Sequence, residues 1–196
     1  EAAARAVRHA WPCLVYGPGA AAALVPEALA DACGATLWRV QCSPATDVAD
    51  LVGGYEQIDA ARRRRRWGGE TIAPPTAGAA APPAFEWVDG PATAAADRGC
   101  WLALEDANLA PPAVLDRLNG LFETSGALDL PGGRVVAPAP TFRAFLLADP
   151  AHGDVSRAMR DRCACAHIAA AVTSAAGRQR RLTNPGAWVA AVRETP

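Results

Sequence analysis

The chain has 196 residues, 51% of them hydrophobic and many of those alanine, with 19 basic against 20 acidic side chains and a net charge of −1. That length suits one well-filled α/β domain, or one domain and the start of another, and the balanced charge excludes a surface uniformly basic for nucleic acid. All 19 basic residues are arginine, which excludes any mechanism that needs a lysine from this segment.

Glu1 to Ala10 is helical by composition, and "EAAARAVRHAWP" lacks the hydrophobic region of a signal peptide. Cys13 to Tyr16 is a short apolar run ended by Gly17-Pro18-Gly19, the pattern of a buried strand running into a turn. Ala20 to Cys33 returns to helix composition and stops at Gly34, and Thr36 to Cys42 is a second strand. The three together predict a βαβ unit and hence a parallel sheet. "SPATDVADLVGGYEQ" is predicted as a turn and short helix. Residues 59–84 follow, with the arginine run Arg62 to Arg66 and a Pro/Gly/Ala tract, and are expected to form a flexible insertion loop. Those arginines mark the one place where an acidic partner or RNA phosphate could be touched; the plainer reading of a charge run is a solvated loop.

Phe85 to Gly99 is predicted as a turn and helix, and Cys100 to Asp106 as a buried strand ending in two acids. Pro111-Pro112 opens a helix whose Val114, Leu115, Leu118, Leu121 and Phe122 lie at three- and four-residue spacings, a buried stripe. "LDLPGGRVV" reads as a hairpin around Pro131-Gly132-Gly133. "TFRAFLLADP" is another buried strand ending in Asp149, "DVSRAMRDR" a short basic helix, and "CACAHI" the last strand. Residues 169–196 look helical and cut short, as does the N-terminus, so a larger chain is expected. No apolar run approaches the ~18 residues of a membrane span. The six cysteines form no C-x-x-C pair and three histidines (His9, His152 and His167) show no metal-ligand spacing. Reduced thiols in an intracellular protein and structural histidines are the expectation.

Five core strands result, with polar residues at their C-terminal ends: Gly17, then Glu105-Asp106, then Asp149. Ligands of open parallel sheets bind beyond those ends. The order of glycine turn, acid pair, polar strand end and arginine-bearing helix resembles that of AAA+ ATPases. Within them, "FEWVDGP", "WLALEDANLAPPAVLDRLNGLFETSGALDL" and "PTFRAFLLADPAHGDVSRAMRDR" are similar to the modules of the midasin family. The resemblance runs from Trp11 to Ile168 and is most specific in Phe85–Glu123 and Thr141–Arg162. It implies an α/β fold with a P-loop NTPase-like AAA+ core (residues 1–168): a five-stranded, mainly parallel sheet flanked by helices, with a β-hairpin insertion. Residues 169–196 would begin a helical lid, and the wording of the last block is most like a later module of a six-module ring.

Residue by residue, the resemblance assigns a nucleotide site with ATP and Mg²⁺ as cofactors. A working phosphate loop, G-x-x-x-x-G-K-[ST], cradles phosphates on backbone N–H groups, with its Lys on the β and γ phosphates and its hydroxyl on Mg²⁺. Gly17, Pro18 and Gly19 stand at its start. The lysine position falls on Ala22 or Ala23, and the hydroxyl position on Ala23 or Leu24. Neither register recovers the motif, although a helix N-terminus near Gly19 still offers N–H groups to an anion. Glu105-Asp106 stands where the family has Asp-Glu, for Mg²⁺ (Glu105) and for polarising water (Asp106). Each side chain differs by one methylene, and errors of about 1 Å can cost ~100-fold in rate. Asp149 takes the sensor position, usually Asn. Arg160 and Arg162 lie on the helix that carries the arginine finger, with Arg162 favoured by position. Ion pairing with Asp161 or Asp154 is the alternative.

The implied function is an AAA+ module of a midasin-like protein in assembly and nuclear export of the large ribosomal subunit. This module would be weak or inactive in hydrolysis and structural in its ring. Neighbouring modules of the same chain, pre-60S particles and their assembly factors would be the partners, and the nucleolus and nucleoplasm the location, with no membrane contact. Two readings compete: an active ATPase with an unusual loop, and a MoxR-like AAA+ module that serves interaction or remodelling outside ribosome assembly.

Overall fold

A computed structural model describes residues 1–58, 84–123 and 126–168. The expected insertion loop except Ala84, the Arg62–Arg66 run and the expected lid over 169–196 lie outside the described residues. Five strands form one sheet: β1 (Cys13–Tyr16), β2 (Leu37–Gln41), β5 (Trp101–Glu105), β8 (Arg143–Ala148) and β9 (Ala164–His167). Their order is β2-β5-β8-β1-β9 and every pairing is parallel. β1 and β8 lie inside the sheet, so their carboxyl ends, at Tyr16 and Ala148, sit side by side.

Strand periodicity of two divides the core. Leu14, Leu102, Leu104, Ala144 and Leu146 point to one face, packing with α4 (Pro91–Arg98), α5 (Pro112–Asp116) and Met159 of α6 (Arg157–Asp161). Cys13, Val15, Trp101, Ala103, Phe145 and Leu147 point to the other, against α1 (Ala2–Arg8) and α2 (Gly19–Cys33). Central strands buried on both faces therefore read as continuous apolar runs. Each fully buried leucine contributes about 1.5–3 kcal/mol. Arg143, at the start of β8, donates to the Val7 carbonyl of α1 at 2.7 Å and to the Pro140 and Phe142 carbonyls. One guanidinium thus fastens the first helix to the sheet, and partial burial lowers its pKa.

Two antiparallel pairs stand apart from this sheet. β6 (Leu128–Asp129) with β7 (Val135–Val136) is the expected hairpin around Pro131-Gly132-Gly133. The second, β3 (Gly53–Ile58) with β4 (Ala84–Asp89), lies where the sequence predicts a helix end, a loop and a turn. A short α3 (Val48–Leu51), closed by an Asp47–Asp50 capping box, leads into it. The hairpin is possible because Gly53 (φ 111°) and Gly90 cross at contact: a Cβ on Gly53 would lie 2.2 Å from the Val88 carbonyl, and one on Gly90 2.4 Å from that of Leu51. Arg134 makes a two-pronged ion pair with Asp89, tying the two hairpins together.

The helix predicted from Pro111 also differs. α5 ends at Asp116, and Asn119–Phe122 forms a 3₁₀ turn. Gly120 lies in that turn with its Cα packed against the Ala127 carbonyl, where a Cβ would sit at 1.9 Å. All five residues of the predicted stripe are nonetheless buried.

Candidate functional site

Strand β1 ends at Tyr16 and α2 begins at Gly19, so Gly17 and Pro18 are the whole connection. Gly17 is held in the sheet, donating to the Ala148 carbonyl at 3.1 Å and packing against Ile168. Pro18 is the N-cap of α2, and its carbonyl accepts from Ala21 and Ala22. Gly19 is thus the first residue of the helix, one position earlier than the Ala20 start expected from the sequence. Ala22 and Ala23, the alternative lysine positions, lie in that helix at 0% and 6% exposure, packed on the sheet. A side chain on either would meet the core, whereas Ala20 is exposed.

The acid pair is engaged by its own chain. Glu105 ends β5 beside Gln41 of β2. Its carboxylate accepts from Nε of Arg39, whose other arm reaches Glu27 on α2. The Glu105 contact, foremost among these, holds the Arg39 guanidinium more firmly protonated than usual. Asp106 follows in the left-handed region (φ 49°, ψ 43°), which is costly for a residue with a Cβ. Gln41 donates to its Oδ2 at 2.7 Å. Its Oδ1 faces Gly19, 3.7 Å from the place a Cβ would occupy there. A carboxylate therefore lies against the first residue of α2, at the end of a helix that favours negative charge.

Asp149 caps the short turn after β8 by accepting from the Ala151 N–H at 2.9 Å. Asn108 spans its carbonyl and that of Gly153. Asp154, five residues on in the same loop, accepts from the Tyr16 hydroxyl and from Arg160. Burial, then the hydrogen bond and charge of Asp154, push the Tyr16 phenol up to about 12, and its ring stacks on His167. Arg160 thus takes the Asp154 partner that the sequence allowed. Arg162 takes one it did not suggest: Nε and Nη2 both reach Glu123 at 3.1 Å, while Nη1 donates to the Ala158 carbonyl. Asp161 pairs with Arg157 instead.

Gly17, Pro18, Gly19, Glu105, Asp106 and Asp149 thereby gather at the carboxyl edge of the sheet, with Arg160 linked to that edge through Asp154 and Tyr16. Arg39, Gln41 and Glu27 escaped the sequence reading. The usable signal was the alternation of "LWRVQ": Leu37, Arg39 and Gln41 share one face of β2, which is an unusual place for a charge on a strand covered by a helix.

A family profile described as "AAA domain (dynein-related subfamily)" matches Cys13 to Cys163. The chain belongs to that family. The dynein-related AAA domain is similar to segments of two midasins. It is 44% identical over 85 residues to that of Dictyostelium discoideum, covering 40% of this chain and 1% of the relative. It is 41% identical over 83 residues to that of Giardia intestinalis, covering 40% of this chain and 2% of the relative. The chain thus spans only a small part of the curated relatives it matches. In fold it is similar to a Cytophaga hutchinsonii protein to which ATPase activity has been ascribed. That likeness has a TM-score of 0.58 at 17% identity, over 92% of this chain and 48% of the other.

AAA domains bind ATP with magnesium as a family. The donors present here do not fit that group well. Buried alanines stand at both alternative lysine positions, Glu105 is committed to Arg39 and Asp106 lies on Gly19. Among the described residues no group of three or more His, Cys, Asp or Glu could hold a metal ion. No helix among them is long and apolar enough to cross a membrane.

Proposed function

We propose that the chain is an AAA+ module of a midasin-like protein that does not hydrolyse ATP itself and serves as a structural member of a ring of modules. One observation carries the reading: α2 starts at Gly19, directly after Gly17-Pro18, with Ala22 and Ala23 turned into the core. There is no loop to wrap a triphosphate and no lysine in the chain to grip one. Gly17, Pro18, Gly19 and Asp149 then form a passive rim, and Glu105 and Asp106 are remnants of a magnesium-binding and water-polarising pair. Isothermal calorimetry of the chain with ATP tests this. No heat up to millimolar ATP is expected, and micromolar, Mg²⁺-dependent binding would overturn it.

A module without hydrolysis still completes its neighbour. Arg162 is the finger in this reading. Its bond to Glu123 is half-exposed, with side chains 32% and 51% accessible, and such pairs are worth about 0.2–1 kcal/mol. A neighbouring phosphate therefore outbids Glu123 cheaply. Arg160, tied to both Asp154 and, through it, Tyr16, holds the helix rather than reaching out. The partners are then the adjoining modules and, at one remove, pre-60S particles and their assembly factors in the nucleus. The midasin segments of similar sequence support this placement.

A further inference from the structure

We propose that Tyr16 and Asp154 are positioning residues for Arg162: with Arg160 they form a strut that holds the arginine helix α6 in place without help from a nucleotide. This rests on the reading of the module as one that does not hydrolyse ATP but completes its neighbour's site, and adds what keeps its arginine presented there.

In a hydrolysing module the phosphates join the turn after the first strand to the polar end of the strand beside it. Here the chain bridges the same two elements with its own side chains. β1 and β8 are adjacent and end at Tyr16 and Ala148. The Tyr16 hydroxyl crosses to the loop after β8 and donates to Oδ1 of Asp154, which also accepts from the Val155 N–H at 2.9 Å. The other oxygen, Oδ2, accepts from Arg160 on α6. Both ends of the strut are anchored. Tyr16 is buried, its ring stacks on His167 with centroids 5.0 Å apart, and its carbonyl accepts from Ile168 at 2.8 Å. Asn108 pins the loop between them, donating to the Asp149 carbonyl at 2.8 Å and the Gly153 carbonyl at 3.0 Å. On α6 itself, Ser156 caps the Met159 N–H at 3.2 Å, and the Met159 side chain is fully buried in the core. Arg162, the C-cap of this short helix, therefore leaves a fixed backbone, and only its half-exposed pair with Glu123 has to be exchanged. Holding a reaching group in place in advance is what lowers the cost of its engagement.

The test is ATP turnover at the neighbouring site in a chain with adjoining modules, assayed where circular dichroism shows every variant folded. Tyr16→Phe removes only the hydroxyl, and Asp154→Ala removes the acceptor of both donors. Thr93→Val is the control: it loses a buried hydrogen bond to the Val52 carbonyl, 2.6 Å long, on an element outside the strut. Tyr16→Phe and Asp154→Ala should each lower kcat at least roughly tenfold with KM unchanged, since a misplacement of about 1 Å can cost ~100-fold. The double variant should be no slower than Asp154→Ala alone, because both act through one strut. Thr93→Val should keep its kcat. If Arg162→Ala slows the neighbour while Tyr16→Phe and Asp154→Ala do not, the strut falls and the role of Arg162 stands. If Arg162→Ala has no effect either, both fall. If the two single losses multiply in the double variant, or Thr93→Val is slowed as much, general damage explains the result and the proposal is overturned.

Discussion

Restoring the missing lysine by Ala22→Lys separates a loop that lacks one side chain from a turn that was rebuilt. If only the side chain were missing, the variant would gain ATP affinity. The structure leads to the opposite expectation. Ala22 is 0% exposed, packed between α2 and the sheet. A lysine there adds three carbons and an ammonium to a filled core, about 1–3 kcal/mol of overpacking. Its ammonium must also lose water or its proton, a further few kcal/mol by the usual cost of burying a charge. A total near 4 kcal/mol is a large part of the ~5–15 kcal/mol that holds a domain together. At roughly 2–4 °C per kcal/mol for a chain of this size, the melting temperature should drop by about 8–16 °C. Circular dichroism melts of Ala22→Lys beside Ala20→Lys, whose site is exposed, measure this, and calorimetry with ATP supplies the functional readout. Ala20→Lys should melt within about 2 °C of the parent, because surface changes usually stay within ±0.5 kcal/mol. An Ala22→Lys chain that melts like the parent and binds ATP at micromolar concentration would refute the rebuilt turn.

Arg162→Ala should leave the fold intact, costing at most about 1 kcal/mol from the exposed Glu123 pair. In a chain with adjoining modules it should lower ATP turnover at the neighbouring site by ~10³-fold, measured by phosphate release. Gly53→Ala should cost about 3 kcal/mol or more in urea unfolding, because a positive φ of 111° and a carbonyl 2.2 Å from the new methyl leave it no room. Burial pushes the thiols of Cys13, Cys42 and Cys163 up to about 12, so at pH 8 a maleimide should modify exposed Cys33 and Cys165 first, half-buried Cys163 more slowly, and buried Cys13 and Cys42 only after unfolding. The same shifts, with Tyr16 also raised to about 12, mean that the folded chain binds more protons than the unfolded one in alkali. Stability should fall as pH rises from about 9 to 12, checked by urea midpoints across that range.

The central strands β1, β5 and β8 were legible because they are apolar on both faces and run into glycine or acid, a signal carried by neighbouring residues alone. β3 and β4 were not, since their pairing joins Gly53–Ile58 to Ala84–Asp89 across residues 59–83. "FEWVD" has the alternation of a strand but no visible partner nearby. The turn after α5 was hidden for a related reason: the apolar spacing of Val114 to Phe122 continues unbroken, and the close approach of Ala127 to Gly120 is made by chain seven residues further on. At the site, the sequence put Gly17, Glu105, Asp106 and Asp149 at strand ends but missed Glu27, Arg39 and Gln41 and the partner each residue takes. That Glu105 answers Arg39, Asp106 faces Gly19 and Arg162 reaches Glu123 depends on strand register and chain crossings, which no local spacing encodes.

The link Tyr16–Asp154–Arg160 has a mechanical meaning. Asp154 accepts from Tyr16, the last residue of β1, and from Arg160 on α6. α6 cannot travel by more than a fraction of a hydrogen-bond length without either dragging the end of β1 or giving up that carboxylate. A displacement of α6 is therefore felt at the end of β1, which only Gly17 and Pro18 separate from the start of α2 at Gly19. The helix that bears Arg160 and Arg162 is in this way coupled to the turn at Gly17-Pro18, so a change at one end of that link is registered at the other.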